Sequence, residues 1–369
     1  MKLNKIALTG FRNYEWEAVE FDEGINIISG NNAQGKTNLL EAVYMLSYGK
    51  SFRTRFDREI INFDYSSAEI LAELISGGRD QTIRMLLQQN AGKKITVNGV
   101  TKKAYELSET LHAVLFCPED LNIIREGAAT RRRLLDNAIS QIKPKYAELI
   151  TEYNRLYEHK TRILKDWHEK PSLLDTLDDF SDAMARCTAN IIRYRASYTT
   201  RLEEAAKEIH KDFSGRGEEL SVEYKTVSTV TDKTASAKDI YYQICEHQES
   251  HRNAELESCQ CLTGAHKDDL EISINGSSAR SFASQGQTRT AALSIKLAER
   301  EILLAETGEY PILLLDDVLS ELDSKRQEFV LNRIGGGQTL ITSCEDESIY
   351  GRTGGKIYRI ENGKLKSCT

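Results

Sequence analysis

The segment INIISGNNAQGKTNLLE, residues 25–41, constrains the fold more than any other part of the 369-residue chain. Its centre, Gly30–Thr37, fits the pattern Gly-x-x-x-x-Gly-Lys-Thr of a phosphate-binding loop. Isoleucines before the loop predict a short buried strand, and apolar residues at helical spacing after it predict a helix. A strand, a glycine-rich loop and a helix in this order predict a nucleoside triphosphate site.

The residue types of this loop suit a triphosphate. Glycines let backbone N–H groups turn toward an anion, and the following helix offers its positive N-terminal end. Lys36 supplies a charge for the β- and γ-phosphates, and the Thr37 hydroxyl is a ligand for Mg²⁺. The predicted ATP contacts in the loop are Gly30, Asn31, Asn32, Ala33, Gln34, Gly35, Lys36 and Thr37.

The composition is that of an ordinary globular protein, with 40% hydrophobic and 28% charged residues in a chain long enough for two domains. The formal net charge of -7 means that any nucleic-acid binding must come from local basic patches. Seven irregularly spaced cysteines do not resemble a disulfide framework, which favours a cytoplasmic location. We expect no signal peptide and no membrane-spanning segment, because no apolar stretch is long enough.

The N-terminal residues alternate in a way that predicts two strands, 2–9 and 16–21, joined by the segment 10–14. This loop precedes the strand of the phosphate loop, so Arg12 and Asn13 are candidate nucleotide contacts, with Arg12 on a phosphate. A solvated turn is the alternative. Farther along, Asn98-Gly99 between extended segments predicts a hairpin.

Two basic segments are candidates for binding DNA. The segment 50–58, KSFRTRFDR, places Arg53 and Arg55 on one face of an extended chain, which suits a phosphate backbone or the triphosphate itself. The run Arg131, Arg132 and Arg133 opens a predicted helix, where cations oppose the helix dipole unless they meet an anion. The alternative for both segments is a solvated charged surface.

The chain changes character between about Pro144 and Ser258. Long stretches rich in Glu, Lys, Arg, Ala, Leu and Tyr predict an inserted helical domain, with some strand between Leu220 and Val230. The apolar spacing is too irregular for a sustained coiled coil. Most basic residues of this region are expected on its outer face, namely Lys160, Arg162, Lys165, Arg186, Arg193, Arg195 and Arg201.

The last third of the chain supplies further parts of a nucleotide site. Ser284-Gln285-Gly286-Gln287 opens a predicted helix and is a second anion-binding N-terminus. The apolar strand Ile312–Leu315 ends in Asp316 and Asp317. We expect Asp316 beside Thr37 on the magnesium, and Asp317 to orient or deprotonate the attacking water. The alternative is a strand followed by an acidic turn.

These motifs resemble those of the ATP-binding-cassette ATPases: a phosphate loop, then Ser-x-Gly-Gln, then LLLDD, then SELD. Within that superfamily, FRNY, GNNAQGKTNLLEA, KSFRT, CPEDL, GAHKDDLEI, SFASQGQTRT and LLLDDVLSELD in this order resemble the RecF family of bacterial DNA repair and recombination proteins. The resemblance covers nearly the whole chain and is weakest in the helical insertion.

The resemblance implies that two protomers join head to tail with ATP between the phosphate loop of one and the signature motif of the other. Ser284 and Gly286, followed by Gln287, would then face the partner's ATP, and Asp323 would contact the opposing protomer. Asp317 would fill the catalytic position usually held by glutamate. The chain departs from the superfamily at the glutamine loop, which reads Cys117-Pro118-Glu119-Asp120, and at the histidine after the last core strand, replaced by Thr342-Ser343. Both departures favour slow turnover.

The expected fold is therefore α/β, an ATP-binding-cassette ATPase head of mixed sheet and flanking helices (residues 1–143 and 259–369) interrupted by a mainly helical domain (144–258). The resemblance implies an ATP-dependent homodimer that clamps gapped or junction DNA and works with RecR and RecO to help RecA load on single strands. ATP and Mg²⁺ are the expected cofactors, with weak DNA-stimulated hydrolysis. The alternatives are a transporter-coupled ATPase and an ATP-binding scaffold without meaningful turnover.

Overall fold

A computed structural model describes residues 1–214, 217–344, 351 and 353–368 of the chain. Its strands are β1 (Lys2–Phe11), β2 (Tyr14–Glu20), β3 (Ile25–Ser29), β4 (Ser67–Ser76), β5 (Arg79–Gln88), β6 (Ala91–Val97), β7 (Val100–Lys102), β8 (Ala113–Phe116), β9 (Leu220–Lys225), β10 (Asp269–Ile274), β11 (Ser277–Ser278), β12 (Ile312–Leu315), β13 (Thr339–Ser343), β14 (Lys356–Glu361) and β15 (Lys364–Cys368). Its helices are α1 (Lys36–Tyr48), α2 (Ala128–Ile142), α3 (Pro144–Asp166), α4 (Leu177–Ser214), α5 (Ala237–Ser258), α6 (Ala279–Phe282), α7 (Gln285–Thr307) and α8 (Ser324–Arg333).

The chain forms two compact units. The head unit comprises Met1–Leu121 and Lys296–Thr369, and the helical unit comprises Asn122–Ile295. The chain passes from the helical unit back to the head unit within α7. The helical unit is larger than the predicted insertion of residues 144–258, because α2 and the strands β10 and β11 group with it. The predicted boundaries at 143/144 and 258/259 stay a prediction.

The sheet that carries the phosphate loop has the strand order β15-β14-β3-β13-β12-β8. Its strands from β14 to β8 run parallel, and only β15 pairs antiparallel. The strands β8 and β12 are buried along their full length, as expected for apolar strands of a parallel sheet that is covered on both faces. The strand predicted at 312–315 is confirmed.

The second sheet of the head unit is antiparallel, in the order β2-β1-β4-β5-β6-β7. Alternate residues of β4 and β5 are buried, since one face of this sheet contributes to the apolar core of the unit. The predicted hairpin at Asn98-Gly99 is confirmed. Both residues have positive φ, 50° and 81°, as a two-residue turn between twisted strands requires.

The helical unit contains α2 to α6 and a small sheet in the order β11-β10-β9. The helices α3 and α5 pack against the 38-residue α4, and β9 packs on it as well. The predicted helical character and the strand beginning at Leu220 are confirmed. Residues 215 and 216, which follow α4, lie outside the described residues. No described helix is long and apolar enough to cross a membrane.

Candidate nucleotide site

The phosphate loop and the two aspartates lie at the same edge of the parallel sheet. In that sheet β13 lies between β3 and β12 and runs parallel to both. The carboxyl ends of the three strands therefore meet at one edge. The loop after β3, Thr342 near the end of β13 and Asp316 after β12 come together there, although they are far apart in sequence.

The conformation of the loop requires its two glycines. Gly30 and Gly35 have φ of 153° and 115°, which favour glycine. A Cβ at Gly30 would lie 2.4 Å from the carbonyl oxygen of Ile360, and a Cβ at Gly35 would lie 2.9 Å from the side-chain amide of Asn13. Both glycines are thus fixed by close approach of the chain as well as by backbone conformation.

Lys36 is only 4% exposed and is held inside the loop. Its ammonium group donates to the carbonyl oxygens of Gly30 at 2.7 Å and Asn31 at 3.1 Å, and it lies 3.4 Å from Cys344 Sγ. The loop therefore fixes the position of a positive charge at the start of α1, where the helix dipole adds to it.

Three oxygen groups form the centre of the site. The Thr37 hydroxyl donates to Asp316 Oδ1 at 2.8 Å, and the Thr342 hydroxyl donates to the same oxygen at 2.9 Å. Burial raises the pKa of Asp316, and the two hydrogen bonds and Arg53 oppose this shift. The Asp316 pKa is also raised by Asp317. A buried carboxylate beside a hydroxyl is a suitable pair of hard oxygen ligands for Mg²⁺, which typically takes one or two carboxylates and completes its shell with phosphate and water.

Asp317 follows in a left-handed conformation, with φ of 49°. Its backbone N–H donates to the Thr342 hydroxyl at 2.8 Å, so Thr342 fixes both aspartates. A non-glycine residue in this region of backbone space carries strain, and such strain is common at functional sites. Sequence reasoning noted Thr342 only as a replacement for the usual histidine and missed this bridging role.

A cavity of about 300 Å³ opens over the loop. Its lining comes from the head unit and contains the phosphate loop together with one aspartate and one arginine: Asn13, Asn32, Ala33, Gln34, Gly35, Lys36, Thr37, Asn38, Arg53 and Asp317. Of the predicted nucleotide residues of this unit, Asn13, residues 32–37 and Asp317 line this cavity.

Arg12 and Asn13 occupy the turn between β1 and β2. Asn13 donates to the Gln34 carbonyl oxygen at 3.0 Å, so it supports the loop from outside. The Arg12 guanidinium donates to both carboxylate oxygens of Glu41, at 2.9 and 2.6 Å. Its predicted contact with a phosphate stays a prediction, and in this structure its charge is paired with Glu41.

Sequence reasoning missed Glu41, a carboxylate on α1 that is completely buried. Besides Arg12 it accepts a hydrogen bond from the Ser51 hydroxyl at 2.5 Å and lies 3.6 Å from Arg53. Arg53 in turn donates to Asn38 Oδ1 at 2.7 Å. Glu41 thus ties the segment after α1 to the helix that carries the phosphate loop. The signal available in sequence was an acidic residue among the apolar positions of α1.

The signature segment begins α7, as predicted. The Ser284 hydroxyl accepts a hydrogen bond from the backbone N–H of Gln287 at 3.2 Å, and the Gln287 side chain accepts one from the Ser284 N–H at 2.9 Å. This reciprocal pair is a capping box. Ser284 is exposed, and Gly286 is half-buried. Asp323 caps α8 by accepting from the backbone N–H of Arg326, which lowers the pKa of this exposed carboxylate.

The structure contradicts part of the predicted DNA contact in α2. Arg131 is 3% exposed, pairs with both carboxylate oxygens of Asp269 at 2.7 and 2.9 Å, and donates to backbone carbonyls. It therefore stabilises the helical unit, and its guanidinium group is not exposed to contact DNA. Arg132 is half-buried and donates to the Asp268 carbonyl oxygen, whereas Arg133 is exposed. Only Arg133 keeps the exposure that the prediction requires.

Two more cations of the helical unit are buried, where an outer face was predicted. Lys160 lies 2.7 Å from Glu255, and both side chains are nearly inaccessible. Arg195 is bonded to Asp136 at 2.9 Å and to Asp268 at 2.7 Å. A buried charge is tolerated only when it is paired, and each of these cations has its acid on another element.

Comparisons with known proteins identify the family of this chain. Residues 2–363 match the RecF/RecN/SMC N-terminal domain family. The DNA replication and repair protein RecF of Acetivibrio thermocellus is 39% identical over 367 residues, covering 99% of both chains. The protein of the same name from Clostridioides difficile is 38% identical over 370 residues, covering 100% of this chain and 98% of the relative. The chain belongs to the RecF family.

Solved structures of similar proteins have the same fold as this chain. The recombination mediator protein RecF-ATP of the RecFOR pathway has a TM-score of 0.90 at 34% identity, covering 99% of this chain and 97% of that one. An Smc head domain from Pyrococcus furiosus has a TM-score of 0.58 at 16% identity over all of this chain and 96% of that one, which supports the fold alone. The chain therefore has the ATP-binding-cassette ATPase head fold with a helical insertion, as the motifs predicted.

Proposed function

We propose that this RecF-family chain is an ATP-dependent DNA-binding protein of recombinational DNA repair and replication, acting as a head-to-tail homodimer. One observation carries the nucleotide part of the proposal. The Thr37 hydroxyl and the Asp316 carboxylate, 279 residues apart, meet at 2.8 Å beside a cavity that also contains Lys36. This is the arrangement that holds the phosphates and the metal in phosphate-loop ATPases.

Residues of the head unit would bind ATP and Mg²⁺ in distinct ways. The backbone of the loop 30–37 would hold the phosphates, and Lys36 would neutralise the β- and γ-phosphates. Thr37 and Asp316 would hold Mg²⁺, which supplies positive charge to the phosphates during transfer. Asn13 would keep the loop in place through Gln34, and Arg12 is the remaining candidate for a phosphate contact.

Asp317 is the proposed catalytic carboxylate. It lines the cavity, and its position is fixed by the bond from its N–H to Thr342. An aspartate side chain is one methylene shorter than the glutamate usual at this place, so it would hold an attacking water less closely. Weak, DNA-stimulated hydrolysis that resets the protein is the expected activity.

The signature segment supports a shared site. Ser284 is exposed at the start of α7, where backbone N–H groups and the helix dipole favour an anion. Ser284, Gly286 and Gln287 would contact the ATP of a second protomer, and the exposed Asp323 would contact the opposing chain. ATP would then join two protomers, and hydrolysis would separate them.

DNA is the proposed macromolecular ligand. The relatives are DNA replication and repair proteins, and a solved relative is a recombination mediator of the RecFOR pathway. Within the described residues, Arg53, Arg55 and Arg133 are exposed cations, and Arg53 also contacts Glu41 and Asn38. We propose that the dimer clamps gapped or junction DNA in the cytoplasm and acts with RecO and RecR to help RecA load on single strands.

The test combines sedimentation velocity with DNA binding, each with and without ATP and Mg²⁺. The variants are Lys36→Met, Ser284→Arg and, as a control, Lys207→Met, which changes an exposed lysine of the helical unit. Wild type and Lys207→Met are expected to dimerise only with ATP and to bind gapped DNA more tightly then. Lys36→Met is expected to lose ATP binding, dimerisation and the ATP-dependent gain in DNA affinity.

Ser284→Arg tests nucleotide binding and ATP-dependent dimerisation separately. It is expected to bind a fluorescent ATP analogue like wild type and to remain monomeric. Dimers that form without ATP in all four proteins would contradict the shared site. Failure of wild type to bind any DNA more tightly with ATP would contradict the clamp.

A further inference from the structure

The segment after α1 carries an exposed aromatic ring between two arginines. Phe56 is 47% exposed, with the guanidinium carbons of Arg55 and Arg58 at 5.6 and 5.1 Å from its ring centroid. Phe63, seven residues on, is completely exposed. We call the segment that carries Arg55, Phe56, Arg58 and Phe63 the aromatic platform. Exposed rings of this size leave apolar surface in water, and a ligand that covered them would bury that area.

The backbone that presents the aromatic platform is fixed at several points. The N–H of Arg12 donates to the Ile60 carbonyl oxygen at 2.7 Å, and the N–H of Asn62 donates to the Gly10 carbonyl oxygen at 2.8 Å. The Glu59 N–H donates to the Phe56 carbonyl oxygen at 3.0 Å. The two rings are therefore held out on a bonded segment, so the exposure of Phe56 does not arise from a loose loop.

The Phe56 ring is flanked by two cations, although the exposed acids Glu59 and Asp64 lie on the same segment. Arg55 and Arg58 are exposed, and neither makes an ion pair with a carboxylate within the part of the chain that the structure describes. The acid between them, Asp57, is already paired with Lys93 at 3.0 Å. An exposed apolar ring with two guanidinium groups beside it, neither paired with a carboxylate in the described residues, suits an anionic ligand that also has a flat apolar face.

We infer that the aromatic platform binds single-stranded DNA by stacking an unpaired base on Phe56, with Arg55 and Arg58 on the flanking phosphates. Phe63 provides a second ring for a neighbouring base. Base stacking on aromatic side chains combined with basic residues on the backbone is how proteins bind single strands without sequence preference. The inference rests on the proposed DNA-binding function and adds that this surface selects the unpaired part of a gapped substrate.

Stacking separates single strands from duplex DNA because paired bases have their faces covered by neighbouring pairs. Removing a contact made to phosphates alone would lower the affinity for single-stranded and duplex DNA equally. Removing a ring that stacks on a base would lower the affinity for single-stranded DNA only. The difference between the two losses, rather than the size of either, therefore tests the role of Phe56.

The experiment uses the full chain with Mg²⁺, with and without ATP, a 20-nucleotide single strand containing 2-aminopurine, and a 20-base-pair duplex. The variants are Phe56→Ala, Phe56→Trp and Phe63→Ala, with Tyr242→Ala as a control for another exposed aromatic residue, in the helical unit. Phe56→Ala is expected to weaken single-strand binding about tenfold and duplex binding less than twofold. Phe56→Trp is expected to retain binding, and Tyr242→Ala to resemble wild type.

The 2-aminopurine fluorescence gives a second readout, since stacking quenches it. Wild type and Phe56→Trp are expected to quench it, and Phe56→Ala to quench it less at saturation. Equal losses on single strand and duplex would overturn the inference, and so would unchanged binding in Phe56→Ala and Phe63→Ala, which would assign this surface to another partner. If wild type binds neither kind of DNA more tightly with ATP, the result contradicts the proposed ATP-dependent DNA binding as a whole, and not only the role of Phe56.

Discussion

At the phosphate loop of the head unit, charged and polar side chains border an open cavity, whereas around Arg195 in the helical unit they are buried against one another. Lys36 and Asp317 face the cavity over the phosphate loop. Arg195, by contrast, has Asp136, Asp268 and the Ala265 carbonyl oxygen as partners and is only 3% exposed. The comparison separates charges placed for a ligand from charges that hold elements together.

The buried cluster of the helical unit joins four elements. Besides Arg195 of α4, Asp268 accepts hydrogen bonds from the Tyr224 hydroxyl of β9 and, at 2.8 Å, from the Thr226 hydroxyl. Asp136 of α2 accepts from the Tyr146 hydroxyl of α3 at 2.5 Å. Nearly every polar atom has a partner inside the unit, so we expect substitutions here to change stability and not ligand affinity.

Asp268→Ala is expected to have the largest effect on stability. It leaves Arg195 buried with one acid instead of two, and the loss of a partner from a buried ion pair costs about 3–5 kcal/mol. Urea unfolding of a protein in which Trp167 is the only tryptophan reports the helical unit, and one with only Trp16 reports the head unit. The expected loss is in the Trp167 transition.

Glu152→Ala is the matched control, because Glu152 forms an exposed pair with Arg155 at 2.9 Å. Exposed pairs contribute about 0–1 kcal/mol, so its transition should remain near that of wild type. A similar loss in both variants would mean that burial does not distinguish the two pairs. Loss of ATP affinity in Asp268→Ala while the head unit stays folded would contradict the separation of roles between the two units.

His266 is expected to give the helical unit an acid-sensitive stability. The Tyr153 hydroxyl lies 2.7 Å from its Nδ1, and its Nε2 lies 3.1 Å from the Cys261 carbonyl oxygen. Burial, helped by the nearby charges of Lys267 and Arg132, lowers the pKa of His266 from 6.5 to about 4, while Glu255 opposes the shift. The folded state therefore favours neutral histidine.

The direction of the pH effect follows from this lowered pKa. The unfolded chain takes up the proton of His266 first, so its stability contribution is present above pH 6.5 and is lost as the pH falls toward 4. The full loss is on the order of 3 kcal/mol. Unfolding of the helical unit measured from pH 7 to pH 4 should show a flatter pH dependence in His266→Gln. An unchanged slope would contradict the role of His266.

Thr342→Val is expected to have an intermediate effect, in the head unit. The valine keeps the volume but removes the hydroxyl that donates to Asp316 and accepts from the Asp317 N–H. Leaving buried polar groups unpaired costs about 1–3 kcal/mol, and hydrolysis should fall because Asp317 loses its anchor. Unfolding reported by Trp16 and steady-state phosphate release measure the two effects.

Thr188→Val is the control for the loss of a buried hydroxyl. Thr188 on α4 is fully buried, and its hydroxyl has no hydrogen-bond partner in the described part of the chain. Replacing it with valine should leave stability unchanged or raise it slightly. Equal losses in the two variants would show that the hydroxyl of Thr342 has no special function at the site.

The sequence predicted the head unit better than the buried cluster for a physical reason. The phosphate loop and the strand before Asp316 are short local patterns, because phosphate binding and strand burial impose fixed spacings. The roles of Glu41 and Thr342 depend on partners from distant segments. The burial of Arg131, Lys160 and Arg195 depends on acids that lie on other elements, and no local spacing encodes that placement.

Asp316→Asn is expected to give the smallest change in stability, and in the opposite direction. Burial raises the pKa of Asp316, so its charged form disfavours folding, and the stability it contributes when protonated is lost as the pH rises through the folded pKa. A neutral asparagine removes that cost. The nucleotide-free variant should therefore be slightly more stable than wild type at pH 7 in the Trp16 transition, and this gain should vanish at acidic pH. Its Mg²⁺-dependent ATP affinity should fall at the same time, because the site loses the carboxylate that would bind the cation. A loss of stability at pH 7 would instead place Asp316 with the charges that hold elements together.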